Sequence, residues 1–152
     1  MEGYLADGSF GYRASTAYGG DYSYTSHAHG WSTGPTEALT TYIVGISFTE
    51  PGGAEWRLAP QFGDLKHAEA GFINIRGKWH AKWALTGNGY TMEWSVPSGT
   101  KGTIVLPSTG GRSPRSVFVD GKEISETGAG DAEDGKLVVE GQAGRHVIEV
   151  RV

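Results

Sequence analysis

Gly77-Lys78-Trp79-His80-Ala81-Lys82-Trp83-Ala84-Leu85 decides the architecture. Trp79, Ala81, Trp83 and Leu85 alternate with Lys78, His80, Lys82 and Ala84, so one face is apolar and the other carries charge, the pattern of a half-buried antiparallel strand. On the C-terminal side, Thr91 to Val96 puts Met92, Trp94 and Val96 on one face, and Thr103 to Leu106, Ser116 to Val119, Lys136 to Val139 and His146 to Val152 read as further strands. Between them stand turn formers: Gly87-Asn88-Gly89, Pro97-Ser98-Gly99, Gly110-Gly111, Asp120-Gly121 and Gly141-Gln142-Ala143-Gly144. Short strands at this spacing predict a mainly β fold, an antiparallel β-sandwich or jelly roll. The stretch 127–135, with acids at 131, 133 and 134, reads as a solvated loop.

On the N-terminal side the period changes. Pro35 suits a first helical turn, and Leu39, Tyr42, Ile43 and Ile46 follow at helical spacing, which predicts a helix over about 35–46 that Glu50-Pro51-Gly52-Gly53 stops. Residues 1–30 are rich in Gly, Tyr and Ser, with Asp7-Gly8 as a turn signal, and read as an irregular arm or hairpin. The organisation expected is an arm over 1–34, a helix and linker over 35–50, and a sandwich over 51–152, together one globular unit.

A chain of 152 residues suits one domain, and its 25 glycines point to many tight turns rather than to disorder. The formal charge is −4, and the 13 lysines and arginines are scattered, so no basic stripe marks a nucleic-acid partner. No run is long enough to span a bilayer, and Met1-Glu2-Gly3-Tyr4 lacks a basic and then apolar signal region, which leaves localisation open. With no cysteine, disulfides, zinc thiolates and cysteine nucleophiles are excluded.

Three groups of residues carry candidate chemistry. His27, His29 and Trp31 lie just before the helix. His67 and Glu69, at i and i+2 of a strand, share a face and are expected to meet as an acid/base pair, a geometry shared with ordinary surface pairs. Trp31, Trp56 and the arm tyrosines offer flat amphipathic rings on which sugar C–H surfaces stack, whereas Trp79, Trp83 and Trp94 alternate inward and are expected in the core. Asp64, Glu69, Glu93 and the acids around Asp131 fall on strands or loops without a paired motif, and no nucleophile elbow, phosphate loop or dinucleotide fingerprint is present. No catalytic residue, metal or cofactor is expected of this chain.

The order of motifs carries a resemblance. Ser26 to Ile46, then Trp56-Arg57-Leu58-Ala59-Pro60, the Trp79 run, Val96-Pro97-Ser98-Gly99-Thr100, Ile104-Val105-Leu106-Pro107, Val119-Asp120-Gly121 and Gly144 to Val150 together resemble the end of α-L-rhamnosidases of glycoside hydrolase family 78. There a last barrel helix leads into a C-terminal β-sandwich. The resemblance implies a non-catalytic, structural or ancillary module whose catalytic acids lie upstream, with a helical catalytic domain or a second copy as partner and rhamnose-containing carbohydrate as ligand. It implies that His29, in Ser26-x-x-His29, contacts rhamnose, although Ala28 and Gly30 stand where the family has Asn and an aromatic residue. Two alternatives stay open. One is a free-standing carbohydrate-binding domain using Trp31, His29 and the arm tyrosines, with His27 and Trp56 as further candidate sugar contacts. The other is a small cupin-like or glycosidase-like enzyme centred on His27, His29, His67 and Glu69: Gly20, His27-x-His29, Glu37 and Gly45 are similar to the first cupin motif, but Pro35 and the helical period put Glu37 on a helix where a cupin needs a strand.

Overall fold

The structure is a computed structural model that describes Asp7 and residues 30–124, 129–133 and 136–152. Contacts group Ala38–Val152 into one compact unit and Met1–Glu37 into another, and the sandwich lies in the former. Its strands are β1 (Ile46–Phe48), β2 (Glu55–Leu58), β3 (His67–Asn74), β4 (Gly77–Thr86), β5 (Gly89–Val96), β6 (Lys101–Leu106), β7 (Ser116–Val119), β8 (Lys122–Ile124), β9 (Ala129–Glu133), β10 (Lys136–Gly141) and β11 (Gly144–Arg151). One sheet runs β3-β4-β5-β11-β7-β8 and the other β1-β2-β6-β10-β9. Among the described residues all strand pairs are antiparallel except β2 with β6, where Trp56 stands opposite Gly102.

The alternation in the Trp79 run holds. Trp79, Ala81 and Trp83 point into the sandwich with Tyr90, Met92 and Trp94 from β5 and Ile148 and Val150 from β11. The facing sheet supplies Ile46, Trp56, Leu58, Ile104 and Leu106. Buried indoles need a partner for their N–H, and each has one: Trp79 donates to Asn74 Oδ1 at 2.8 Å, Trp83 to the Ile43 carbonyl at 2.9 Å, Trp94 to the Gln142 carbonyl at 2.8 Å and Trp56 to Thr100 Oγ1 at 3.2 Å. Trp56 fits because two glycines leave room for it. A Cβ on Gly102 would lie 2.2 Å from its Cζ2, and one on Gly141 would lie 2.6 Å from its Cη2.

The helix differs from the expected one. A 3₁₀ turn (Gly30–Thr33) leads into α1 (Gly34–Ala38) and then a π turn (Leu39–Val44), which Gly45 ends in the left-handed region at φ 90° with its N–H on the Thr40 carbonyl. Ile46, expected on the helix, starts β1 instead, and Pro51–Gly53 forms a 3₁₀ turn between β1 and β2 rather than the helix stop. The wider π turn breaks the 3.6-residue phase. Leu39 and Tyr42 therefore stay 56% and 58% exposed while Val44 and Ile46 enter the core.

Ala129–Glu133, expected within a loop, is strand β9, paired with β10 through Gly130 opposite Val138 and Ala129 opposite Val139. An edge strand of this kind is held by backbone hydrogen bonds, so it needs no alternating apolar pattern.

Candidate functional site

Two of the sequence candidates, His27 and His29, lie outside the described residues, and Trp31 lies on the 3₁₀ turn Gly30–Thr33. Trp56 is not a sugar platform. It is 1% exposed, edge-on to Trp79 with ring centroids 6.5 Å apart and 6.3 Å from Trp94. The reason is its position on β2, where the parallel partner β6 presents Gly102 and draws the indole inward. Glu37 is on α1, as the helical period requires, and not on a strand.

His67 and Glu69 do share the outer face of the six-stranded sheet, but they do not form the expected pair. Glu69 Oε1 bonds His80 Nε2 at 2.8 Å across the β3–β4 ladder. The register sets Glu69 opposite Lys82 and Gly71 opposite His80; because Gly71 has no side chain, the imidazole reaches diagonally to the carboxylate. That hydrogen bond, with the charge of His80, pulls the Glu69 carboxyl below its ordinary pKa.

The same face carries an ionic chain. Lys82 Nζ lies 3.1 Å from Glu93 Oε2, and Arg145 Nη2 lies 2.8 Å from Glu93 Oε1. Burial raises the Glu93 pKa, but the hydrogen bond from Lys82 and the charges of Lys82 and Arg145 outweigh it, so the carboxyl ends below its ordinary value. Next to the two charged residues of β4 and β5, the sheet is hollow. Small side chains at Ala84 and Thr91 lie between His67 and Glu149 in one cross-strand row, and the neighbouring row reads Glu69, Lys82, Glu93, Val147. Residues from both rows line a trench of about 400 Å³.

On the five-stranded sheet, a smaller cleft of about 250 Å³ opens beside the π turn, lined by Tyr42, Ser47, Arg57, Gln61 and Lys136 among others.

A further polar cluster joins the β7–β8 turn to β11. His146 Nδ1 lies 2.7 Å from Asp120 Oδ2 and its Nε2 lies 3.1 Å from the Ala143 carbonyl, while Asp120 Oδ1 accepts the Val147 N–H at 2.9 Å. Both ring nitrogens thus face acceptors, an arrangement satisfied when both carry protons. The Asp120 hydrogen bond accordingly raises the His146 pKa against the opposing effect of burial. In return the Asp120 pKa falls, through the His146 and then the Val147 hydrogen bond.

A glycosidase acid must be held protonated by an apolar setting. Among the described residues, every carboxyl group with a shifted pKa, namely Glu69, Glu93 and Asp120, is pushed the other way. His80, Lys82, Glu93, Asp120 and His146 were not expected as site residues. Their outward placement is readable from the period of two, but their partners depend on strand register, which sequence alone leaves open.

Residues 45–117 match the family described as the bacterial alpha-L-rhamnosidase C-terminal domain. The chain is similar in structure to α-L-rhamnosidase from Dictyoglumus thermophilum, with a TM-score of 0.73, 25% identity, and coverage of 84% of this chain and 14% of that one. It is similar also to native α-L-rhamnosidase from Aspergillus terreus, with a TM-score of 0.53, 25% identity, and coverage of 81% and 12%. The fold is shared with Streptomyces avermitilis α-L-rhamnosidase complexed with L-rhamnose, at a TM-score of 0.66, 23% identity, and coverage of 95% and 12%. The chain therefore spans 14% or less of the length of these three proteins. No curated protein sequence matches it.

Proposed function

We propose, because residues 45–117 match the bacterial α-L-rhamnosidase C-terminal domain family, that the chain is the ancillary β-sandwich of a longer enzyme that removes terminal α-L-rhamnose from glycosides or polysaccharides. The module itself is a non-catalytic accessory region. The observation that carries the reading is this family match, and the downward pKa shifts of Glu69, Glu93 and Asp120 agree with it, since a general acid needs a shift the other way.

The surface that meets the helical catalytic domain, in this reading, is the π turn. Leu39 and Tyr42 expose more than half of their side chains there, on an element whose other apolar residues turn inward. An apolar helical face left open is the part of a module most in need of a partner.

The test is binding of the chain to an α-L-rhamnosidase catalytic domain deprived of its own C-terminal module, followed by analytical ultracentrifugation. A complex that forms with the native chain and is lost with Leu39→Glu/Tyr42→Glu supports the reading. Failure of the native chain to bind, or equal binding by the variant, overturns the proposed surface. Hydrolysis of an aryl α-L-rhamnoside by the chain alone would overturn the ancillary role.

A further inference from the structure

We propose that the trench on the outer face of the six-stranded sheet is a binding site for an uncharged sugar ring. This goes beyond the ancillary role, and it rests on the groove rather than on attachment to a catalytic domain.

The trench follows from register. On β4 and β5 the outward positions carry Lys82 and Glu93 in one row and Ala84 and Thr91 in the next, so two short side chains sit beside two long ones. His67 and Glu69 on the edge strand β3 raise one wall, and Val147 on β11 contributes apolar surface that is 39% exposed. The resulting volume, about 400 Å³, falls within the range of about 300–1,000 Å³ typical of small-ligand sites.

Its chemistry selects the ligand class. The floor is methyl groups from Ala84, Thr91 and Val147, which suit the C–H face of a ring. The rim alternates carboxylate, ammonium and carboxylate. An anion would meet Glu69 and Glu93, and a cation would meet Lys82 together with Arg145, which is paired to Glu93 and balances the second carboxylate, so neither sign is favoured. A neutral polyol meets no such penalty: its hydroxyls donate to the carboxylates and accept from Lys82 and the Thr91 hydroxyl. Hydrogen bonds to ionised acceptors are the stronger kind. The carboxylates keep capacity for this. Each offers about four lone-pair sites, and the contacts of Glu93 to Lys82 and Arg145, or of Glu69 to His80, occupy only part of them while fixing the oxygens in place. The rim is thus preorganised by the ionic chain, which lowers the ordering cost of binding.

The experiment is a titration of the ¹⁵N-labelled chain with L-rhamnose, D-glucose and cellobiose, watching backbone amide shifts, with sodium phosphate and putrescine as charged probes. The expected result is saturable shifts centred on Ala84, Thr91, Glu93 and Val147, with a dissociation constant on the order of 1 mM for at least one sugar. Thr91→Arg and, as a neutral second filling, Ala84→Gln both point outward and should weaken that sugar about tenfold or more while leaving tryptophan emission unchanged. The proposal is overturned by the absence of saturable shifts up to about 100 mM sugar, far above a millimolar site. It is equally overturned by shifts that map elsewhere, by native-like sugar binding in both filled variants, or by tighter binding of phosphate or putrescine at the trench. Because the readout is on the chain alone, these failures leave the docking surface at Leu39 and Tyr42 untouched.

Discussion

Gly102→Ala probes the central packing decision of the sandwich. In an ordinary strand, replacing glycine by alanine stabilises, because glycine costs roughly 0.5–1 kcal/mol of backbone entropy. At Gly102 the sign should reverse. The added Cβ would lie 2.2 Å from Trp56 Cζ2 and 2.3 Å from Cε2, against about 3.5–4.0 Å for comfortable carbon contacts. The ring would have to retreat by more than about 1 Å. It has little freedom to do so: its N–H is tied to Thr100, Trp79 and Trp94 stand at its sides, and its Cη2 already lies close above Gly141. Overpacking of this kind costs about 1–3 kcal/mol. For a chain of this size each kcal/mol lowers Tm by about 2–4 °C, which gives a fall of roughly 2–12 °C. Thermal unfolding followed by tryptophan emission reads the change, and Trp56→Leu supplies the control. If the clash with the indole is the cause, Gly102→Ala should cost at least about 1 kcal/mol less in the Trp56→Leu background, as contacting residues couple on that scale. A Tm for Gly102→Ala at or above that of the native chain, or equal costs in both backgrounds, refutes the reasoning.

The Asp120–His146 pair makes stability depend on pH in two windows. His146 has its folded pKa raised above 6.5, so its contribution is full below pH 6.5 and is lost as pH climbs through the folded value; Asp120 has its folded pKa lowered below 3.8, so its contribution is present above 3.8 and lost as pH falls through the folded value. Tm should therefore peak between these limits, and His146→Gln should flatten the alkaline limb; a native-like alkaline slope in the variant counts against the pair. Trp83→Phe removes the donor to the Ile43 carbonyl and should cost about 1–3 kcal/mol, with amide exchange rising first over residues 39–44; unchanged exchange there would sever β4 from the π turn. Glu93→Gln should cost less than about 1 kcal/mol, and less still at high salt, since Lys82 and Arg145 reach it at the surface; a salt-independent loss would argue against an ionic origin.

Much of the sheet was readable because burial on one face forces a period of two, and Trp79, Trp83, Trp94 and Met92 kept to it. Tyr90 joined them in the core from β5, and Val150 from β11. The helix was half readable. Pro35 and the spacing of Leu39, Tyr42 and Ile43 marked helical backbone, but the switch to a π turn depends on Gly45 in a left-handed conformation and on Trp83 holding the Ile43 carbonyl, a partner 40 residues away. The candidate sites were the least readable. An exposed indole and a buried one look alike in sequence, and what placed Trp56 inside was the absence of side chains at Gly102 and Gly141.

Local sequence suffices to say which residues face inward along each long strand, where the turns fall, and that residues 45–117 match the bacterial α-L-rhamnosidase C-terminal domain. These are local properties, set by backbone period and turn stereochemistry. It takes the assembled sandwich for Glu69 to meet His80 rather than His67, for Glu93 to bridge Lys82 and Arg145, for Asp120 to hold His146, and for Ala84 and Thr91 to line a trench. Each depends on which residue of one strand stands opposite which residue of the next. That register is fixed by the packing of the whole sandwich, because a slip of one residue would turn every inward tryptophan to water.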